Sequence, residues 1–553
     1  MKNYLLILLW LLSPIVLRAQ DHTYQLILLS NLPQEQVILD SYNHQKSHLT
    51  TYSLEQNVKN IEENLFKQGY LNLKKTLIVD NTTYTYTFDL EKQIKHLTLS
   101  TSTLPEQIHT QLQLKSDPQT ILLSDIDNYI TQYTNLLERQ GEGTTALRLT
   151  NHQIANDTLY CNLTLQNNRI ARKLTAVQIQ TTDKLPLHII ERTYKKELNK
   201  TYNTAAIDKI IKQVNSLDFI KATKPAETLF TDNNTILYLY LAKKSTNQFD
   251  GYFGFGNNKD NNFSLNGYLD LKLLNILNRG EALNLYWKND GNKQSTFNFD
   301  AEIPFIFKTP IALKGALNIQ RQDTIYQNTQ SNIQLGYYLS YNHRIYLGYK
   351  STTSTTNSEL PTIDNYKSSF VEATYLLTKS NAEHLLFPTD YRIELSGAIG
   401  TRKQDTHTNS QSTLTIDLQK NAVLSPTSYL YIRWRTLGIY SNTYIQNELL
   451  RLGGNNSLRG FQDNSLYATQ YSLLNTEYRY LLSSYLYIHS IIDYAYQQNK
   501  LQDQNNHLYS FGFGLGMLTK TGKFNLSFAN GKQPNETIKF DNTTVHITFS
   551  TVF

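Results

Sequence analysis

A single cysteine, Cys161, serves the whole chain. One thiol forms no internal disulfide and no cysteine-based zinc site. Proline and glycine are scarce, 12 and 23 among 553 residues, which excludes a collagen-like or low-complexity chain. Charge of one sign is barely in excess: 52 basic against 46 acidic residues leave +6, with no Lys/Arg run, so a nucleic-acid partner is not expected. Hydrophobic residues make up 40%, and past the N-terminus no stretch reaches the ~18 uncharged apolar residues of a spanning helix, which excludes a bundle of membrane helices. No Gly-x-x-x-x-Gly-Lys-Ser/Thr phosphate loop occurs, so no ATP site is expected.

What the chain has in quantity is tyrosine, 39 residues, with 22 Phe and 3 Trp beside them. Such side chains suit surfaces that are apolar at one end and wet at the other. The N-terminus reads as an export signal. Met1-Lys2-Asn3 is followed by the apolar run Tyr4 to Val16 and a small residue, Ala19, before the polar Gln20-Asp21-His22. Residues 1–19 are therefore expected to be a signal peptide. The absence of a cysteine after the run argues against a lipoprotein. An exported chain without a spanning helix is either soluble outside or a membrane β-barrel.

Up to residue 245 the periods are mixed. Leu54, Val58, Ile61 and Leu65 fall on one helical face, a turn follows at Gly69-Tyr70, and two strand-like runs complete the unit. The order recurs with a helix bearing Ile126, Ile130, Tyr133 and Leu137, and again with one bearing Ile207, Ile210, Ile211 and Val214. Each unit of about 75 residues reads strand–helix–helix–strand–strand. The expected divisions are 20–91, 92–167 and 168–245.

From residue 246 to 553 the helical period vanishes and alternation takes over. Leu283, Leu285 and Trp287 alternate with polar residues, as do Leu430, Ile432 and Trp434, and Val545, Ile547 and Phe549. One face is apolar and aromatic; the other carries Arg, Lys, Asp and Tyr. This is the lipid-out, polar-in pattern of a membrane barrel, which must close because lipid offers no partner to a free sheet edge. With about 9–11 residues per spanning strand plus connections, the region holds roughly 16 antiparallel strands. The expected fold class is therefore α+β repeats followed by an all-β transmembrane barrel.

Three motifs stand out within the barrel. Leu458-Arg459-Gly460-Phe461 follows a tight polar turn region, Gly453 to Asn456. Glu477 lies in a strand beside aromatics, and Asp493 lies in the next strand on the face opposite Ile492 and Tyr494. A lone Arg in a narrow lumen is costly unless it forks onto carboxylates. Gly460 permits close approach of the backbone, and Phe461 supplies an apolar anchor. With these motifs the chain resembles the BamA/TamA family of outer-membrane assembly factors, whose wider superfamily includes two-partner secretion transporters. The N-terminal units are similar to polypeptide-transport-associated (POTRA) domains. The resemblance implies that the loop folds back into a sixteen-stranded barrel and that Arg459 meets Glu477 and Asp493 on the inner wall as a structural latch. Ala495 departs from the family pattern, which often has glycine there.

The first barrel segment contains Gly251, Gly254 and Gly256, and the chain ends on Phe553. Glycine weakens strand packing, so a weak seam between first and last strands, able to open sideways and template incoming strands, is one reading; a corner needing curvature is the other. The resemblance favours the seam. It implies an outer-membrane location, N-terminal domains in the periplasm, and partners that are unfolded outer-membrane or secreted polypeptides and membrane lipid, with periplasmic or lipoprotein partners left open. Function is expected to be insertion and assembly of outer-membrane proteins; secretion of a specific partner polypeptide and a passive porin are the alternatives. Three units rather than more lean toward an accessory, TamA-like role. No enzyme, cofactor or metal is expected: His44 and His48 are read as a solvated loop, and His546 and Ser550 share a strand face without a third partner.

Overall fold

The computed structural model describes residues 23–42, 44–104, 117–166, 171–257, 263–289, 294–323, 325–357, 360–381, 384–405, 407–532 and 543–553. The expected signal peptide lies outside them. The chain forms two compact units, one of residues up to 173 with 201–204, the other of 174–200 with 205–553.

The first unit contains two α/β domains. In the first domain the helix Thr51–Lys67 forms because Leu54, Val58, Ile61 and Leu65 recur on one face, all buried, and because the Thr50 side chain accepts the Ser53 N–H at 3.2 Å to cap it. The helix stops at Gly69, whose φ of +97° is the left-handed conformation that glycine reaches without strain. Its carbonyl accepts the Ile94 N–H at 2.8 Å. The apolar face packs on Leu26, Leu28, Tyr86 and Phe88 of a four-stranded sheet. That sheet ends in the strand Lys74–Asp80, exposed along its whole length. The second domain repeats the plan: the helix Ile126–Arg139 buries Tyr133 and Leu137 against strands His96–Ser100 and Thr158–Gln166. Cys161 sits in this core, where burial pushes its thiol up to about 11.

The third domain, in the second unit, has strand Ala176–Gln180, helices Leu187–Tyr194 and Thr204–Asn215, and a sheet completed by Glu227–Phe230 and Thr235–Lys243. Helix Thr204–Asn215 buries Ile207, Ile210 and Val214. Within this unit the domain meets one end of the barrel: Ser380 Oγ donates to Asp218 Oδ1 at 3.0 Å, and the Phe219 and Tyr341 rings lie 5.9 Å apart. That end, where the first barrel strand begins and the last one ends, is called the near end below.

From Gln248 to Val552 sixteen strands pair in sequence order, antiparallel, into a closed barrel. Alternation decides which side chain goes where. Ile333, Leu347, Ile399, Phe513 and Ile547 point outward and are exposed, while Glu372, Arg402, Asp417, Ser510 and Ser527 point inward and are buried. An apolar outside on a closed sheet with a polar inside is the construction of a membrane-spanning barrel of the outer-membrane type.

Candidate functional site

Between Ser441 and Gln470 the chain leaves the wall at the far end and folds back into the lumen. This hairpin contains a helical turn at Gln446–Glu448 and two short paired strands, Leu450–Leu452 and Leu466–Ala468. Its tip is fixed by local chemistry. The Gly454 N–H donates to Leu458 O at 3.0 Å, and Asn475 Nδ2 on the wall donates to Ser457 O at 3.0 Å. Leu458 and Phe461 pack with Leu452, Leu473, Ala495 and Leu508 in one apolar cluster. Ala495 is thus a packing surface under the tip.

Arg459 lies between these anchors and is 6% exposed. Its Nε donates to Asp493 Oδ2 at 2.9 Å and its Nη2 to Asp493 Oδ1 at 2.5 Å, the two-pronged geometry a guanidinium makes with a carboxylate. Its backbone N–H also donates to Asp493 Oδ2, at 3.2 Å, and its Nη1 donates to Glu477 Oε1. Glu477 and Asp493 sit on adjacent strands, Gln470–Ser483 and Leu486–Asn499. Gly460 adopts φ +77°, and a Cβ there would lie 2.5 Å from the Gly531 nitrogen. Only glycine fits both conditions. The four loop residues and the two acidic residues picked out by sequence therefore form one buried assembly.

Sequence reasoning missed the other fastenings of the hairpin. Arg402 is fully buried and ion-paired to Glu448, which also accepts from Gln411 Nε2 at 2.9 Å. Asn447 Nδ2 donates to Ser354 Oγ at 2.8 Å and to Asp364 O at 2.7 Å. Arg451 Nη1 donates to Gln322 Oε1 at 2.9 Å, and Lys288 pairs with Asp463. These partners come from walls far apart in sequence, so the hairpin crosses the lumen. Arg402 occupies an inward position of ordinary alternation in the strand Thr389–Gln404 and Glu448 lies in the helical turn of the hairpin, and no motif marked either.

The seam lies beside this crossing. The first strand, Gln248–Asn257, pairs along its whole length with Phe263–Leu274. Among the described residues it meets the last strand, Thr544–Val552, at Gln248 with Val552 and Phe249 with Thr551, and the Phe553 N–H donates to Asn247 O at 3.0 Å. Phe553 is thus at the closure. Gly251, Gly254 and Gly256 are registered against Leu269, Asn266 and Ser264, not against the last strand. The three glycines thus lie in the first strand, and among the described residues the last strand is registered against its base alone. A lumen cavity of about 1180 Å³ is lined by Asp250 of the first strand and by His546, Thr548 and Ser550 of the last. His546 and Ser550 both face it, with no hydrogen bond joining them. His48, expected in a solvated loop, is buried in a short strand, with Nε2 at 2.7 Å from Gln45 O and Nδ1 at 3.2 Å from Ser53 Oγ.

The fold and site define a latched, sixteen-stranded outer-membrane barrel preceded by POTRA-like domains. Among solved structures it is similar to BamA from Haemophilus ducreyi lacking POTRA domains 1-3, with TM-score 0.50, 14% identity, and coverage of 83% of this chain and 99% of that one. It is equally similar to CdiB from Escherichia coli, with TM-score 0.50, 14% identity, and coverage of 90% and 97%. At such identity what is shared is the fold. No protein-family model matches the sequence, and no curated protein matches it.

Proposed function

We propose that this protein handles unfolded polypeptides at the outer membrane, inserting and assembling outer-membrane proteins there. The observation that carries the reading is the abbreviated closure between Gln248–Asn257 and Thr544–Val552. Most of the first strand's free edge has no registered partner among the described residues, so it presents backbone donors and acceptors to an incoming strand. The lumen cavity touches both closing strands, which gives such a strand an approach from inside. In the N-terminal domains the edge strand Lys74–Asp80, with Leu77, Ile78 and Val79 exposed, offers a place to hold an extended client by strand addition before delivery. The role is mechanical, without catalysis or cofactor, and the work comes from the client's own folding.

Secretion of one specific partner polypeptide is the second reading, favoured by the polar lumen cavity beside the hairpin. Depleting the protein and surveying the outer-membrane proteome separates the two. Broad loss of β-barrel proteins is expected; loss of a single secreted polypeptide with an unchanged membrane would favour secretion.

A further inference from the structure

The connection between strands Tyr366–Ser380 and Thr389–Gln404 belongs to the near end, opposite the origin of the latch hairpin. Neighbouring near-end turns, such as Tyr341-Asn342 and Pro426-Thr427, are two residues long. This one carries His384-Leu-Leu-Phe387 and turns inward. Leu386 and Phe387 are 1% and 4% exposed. They pack against Tyr429 and Tyr487 of the inner wall, with the Phe387 ring 5.1 Å from Tyr429 and 4.9 Å from Tyr487. His384 stacks on Phe387 at 4.8 Å, and Lys523 Nζ donates to Leu386 O at 3.1 Å. An apolar turn at the rim of a polar lumen has no reason to enter unless it finds a matched aromatic site, and the wall supplies one.

Arg479 joins this turn to the latch. Its guanidinium lies 4.8 Å over the Phe387 ring and 4.2 Å over Tyr431. Its Nε donates to Glu477 Oε2 at 2.8 Å, and its Nη1 to Asn421 Oδ1 at 2.6 Å. The other oxygen of Glu477 accepts from Arg459. A single carboxylate therefore holds the arginine of the far-end hairpin and the arginine that covers the near-end turn. We propose that the segment His384–Phe387 is a second plug, and that the Arg459–Glu477–Arg479–Phe387 chain makes release of the latch and release of this plug one event. Removing Arg459 lets Glu477 and Arg479 reorient, which uncovers Phe387.

The test uses the full chain in lipid vesicles with Leu386→Cys as a maleimide reporter, scored only in the band that migrates as folded without heating. Cys161, buried, is silent under these conditions. Labelling is expected to be slow in the otherwise unaltered chain and to rise by about tenfold or more when Arg459→Ala or Arg479→Gln is added. Lys288→Ala, which frees the hairpin's contact with Asp463 and leaves Glu477 untouched, is expected to change the rate by less than about twofold. If Leu386→Cys does not fold, His384→Cys replaces it. Fast labelling of the reporter alone would show that the turn is no plug. Unchanged protection in both arginine variants, or equal loss in Lys288→Ala, would overturn the coupling.

Discussion

At the scale of the residue, the account rests on Arg459 and the carboxylates it holds. Removing one partner of a buried ion pair leaves the others uncompensated, at a cost of about 3–5 kcal/mol. Arg459→Ala is therefore expected to lower the temperature at which the barrel loses its heat-resistant migration on gels, while the chain is still exported. Arg459→Lys is expected to recover only part of the loss, because an ammonium cannot fork onto Asp493. Gly460→Ala places a methyl group against the Gly531 backbone and is expected to cost about 1–3 kcal/mol in the same assay. Wild-type migration for both Arg459→Ala and Gly460→Ala would remove the latch from the account. These residues were legible in sequence through the resemblance carried by Leu458–Phe461 together with the two acidic strand motifs; the loop motif alone reads equally well as an external turn, and alternation put Asp493 on the face opposite Ile492 and Tyr494. Arg402 and Glu448 were not legible. Their pairing depends on a hairpin crossing the lumen, and nothing local in the strand Thr389–Gln404 that carries Arg402 records where a distant loop comes to rest.

Among the elements, the outward faces of the strands make the most direct claim. Ile333 lies at the middle of the strand Tyr326–Ser340 and is 64% exposed. Ile333→Arg is expected to destabilise the barrel in lipid by about 2–4 kcal/mol, read from urea titrations of the vesicle-bound chain. An equal effect from an Arg introduced at a lumen-facing threonine would contradict the assignment of an apolar outer and a polar inner face. The third domain offers a pH test. Lys209 Nζ donates to Glu197 Oε1 at 2.6 Å and Lys200 Nζ to Oε2 at 3.2 Å, which holds the carboxyl below its usual range, the Lys209 bond contributing most. Because the folded value is the lower one, the added stability is complete above the unfolded-state value of about 4.3 and fades as pH falls through the folded value. Hydrogen exchange in the helix Thr204–Asn215 should accelerate, relative to its intrinsic rate, below that range in the parent and show less of this dependence in Glu197→Gln. Identical profiles would dissociate Glu197 from the helix. Helix Thr51–Lys67 was readable from period alone; the short strand Ser47–His48 was not, since two residues carry no period.

For the whole molecule, strand number followed from length, alternation and the thickness of a bilayer, because closure leaves few ways to distribute three hundred alternating residues. The glycines mark the first strand in sequence, but the extent of its pairing with the last strand is a matter of register: among the described residues the two meet at Gln248 with Val552 and Phe249 with Thr551. Register between the two ends of a chain is set by the summed stagger of every strand between them, which no single segment reveals. The central claim is that this seam opens for clients. Phe249→Cys with Thr551→Cys joins it by a disulfide at registered positions. In vesicles, assembly of an outer-membrane client should stop in the oxidised double variant and return on reduction, with each single variant unimpaired. Full assembly activity with the crosslink intact would contradict the account.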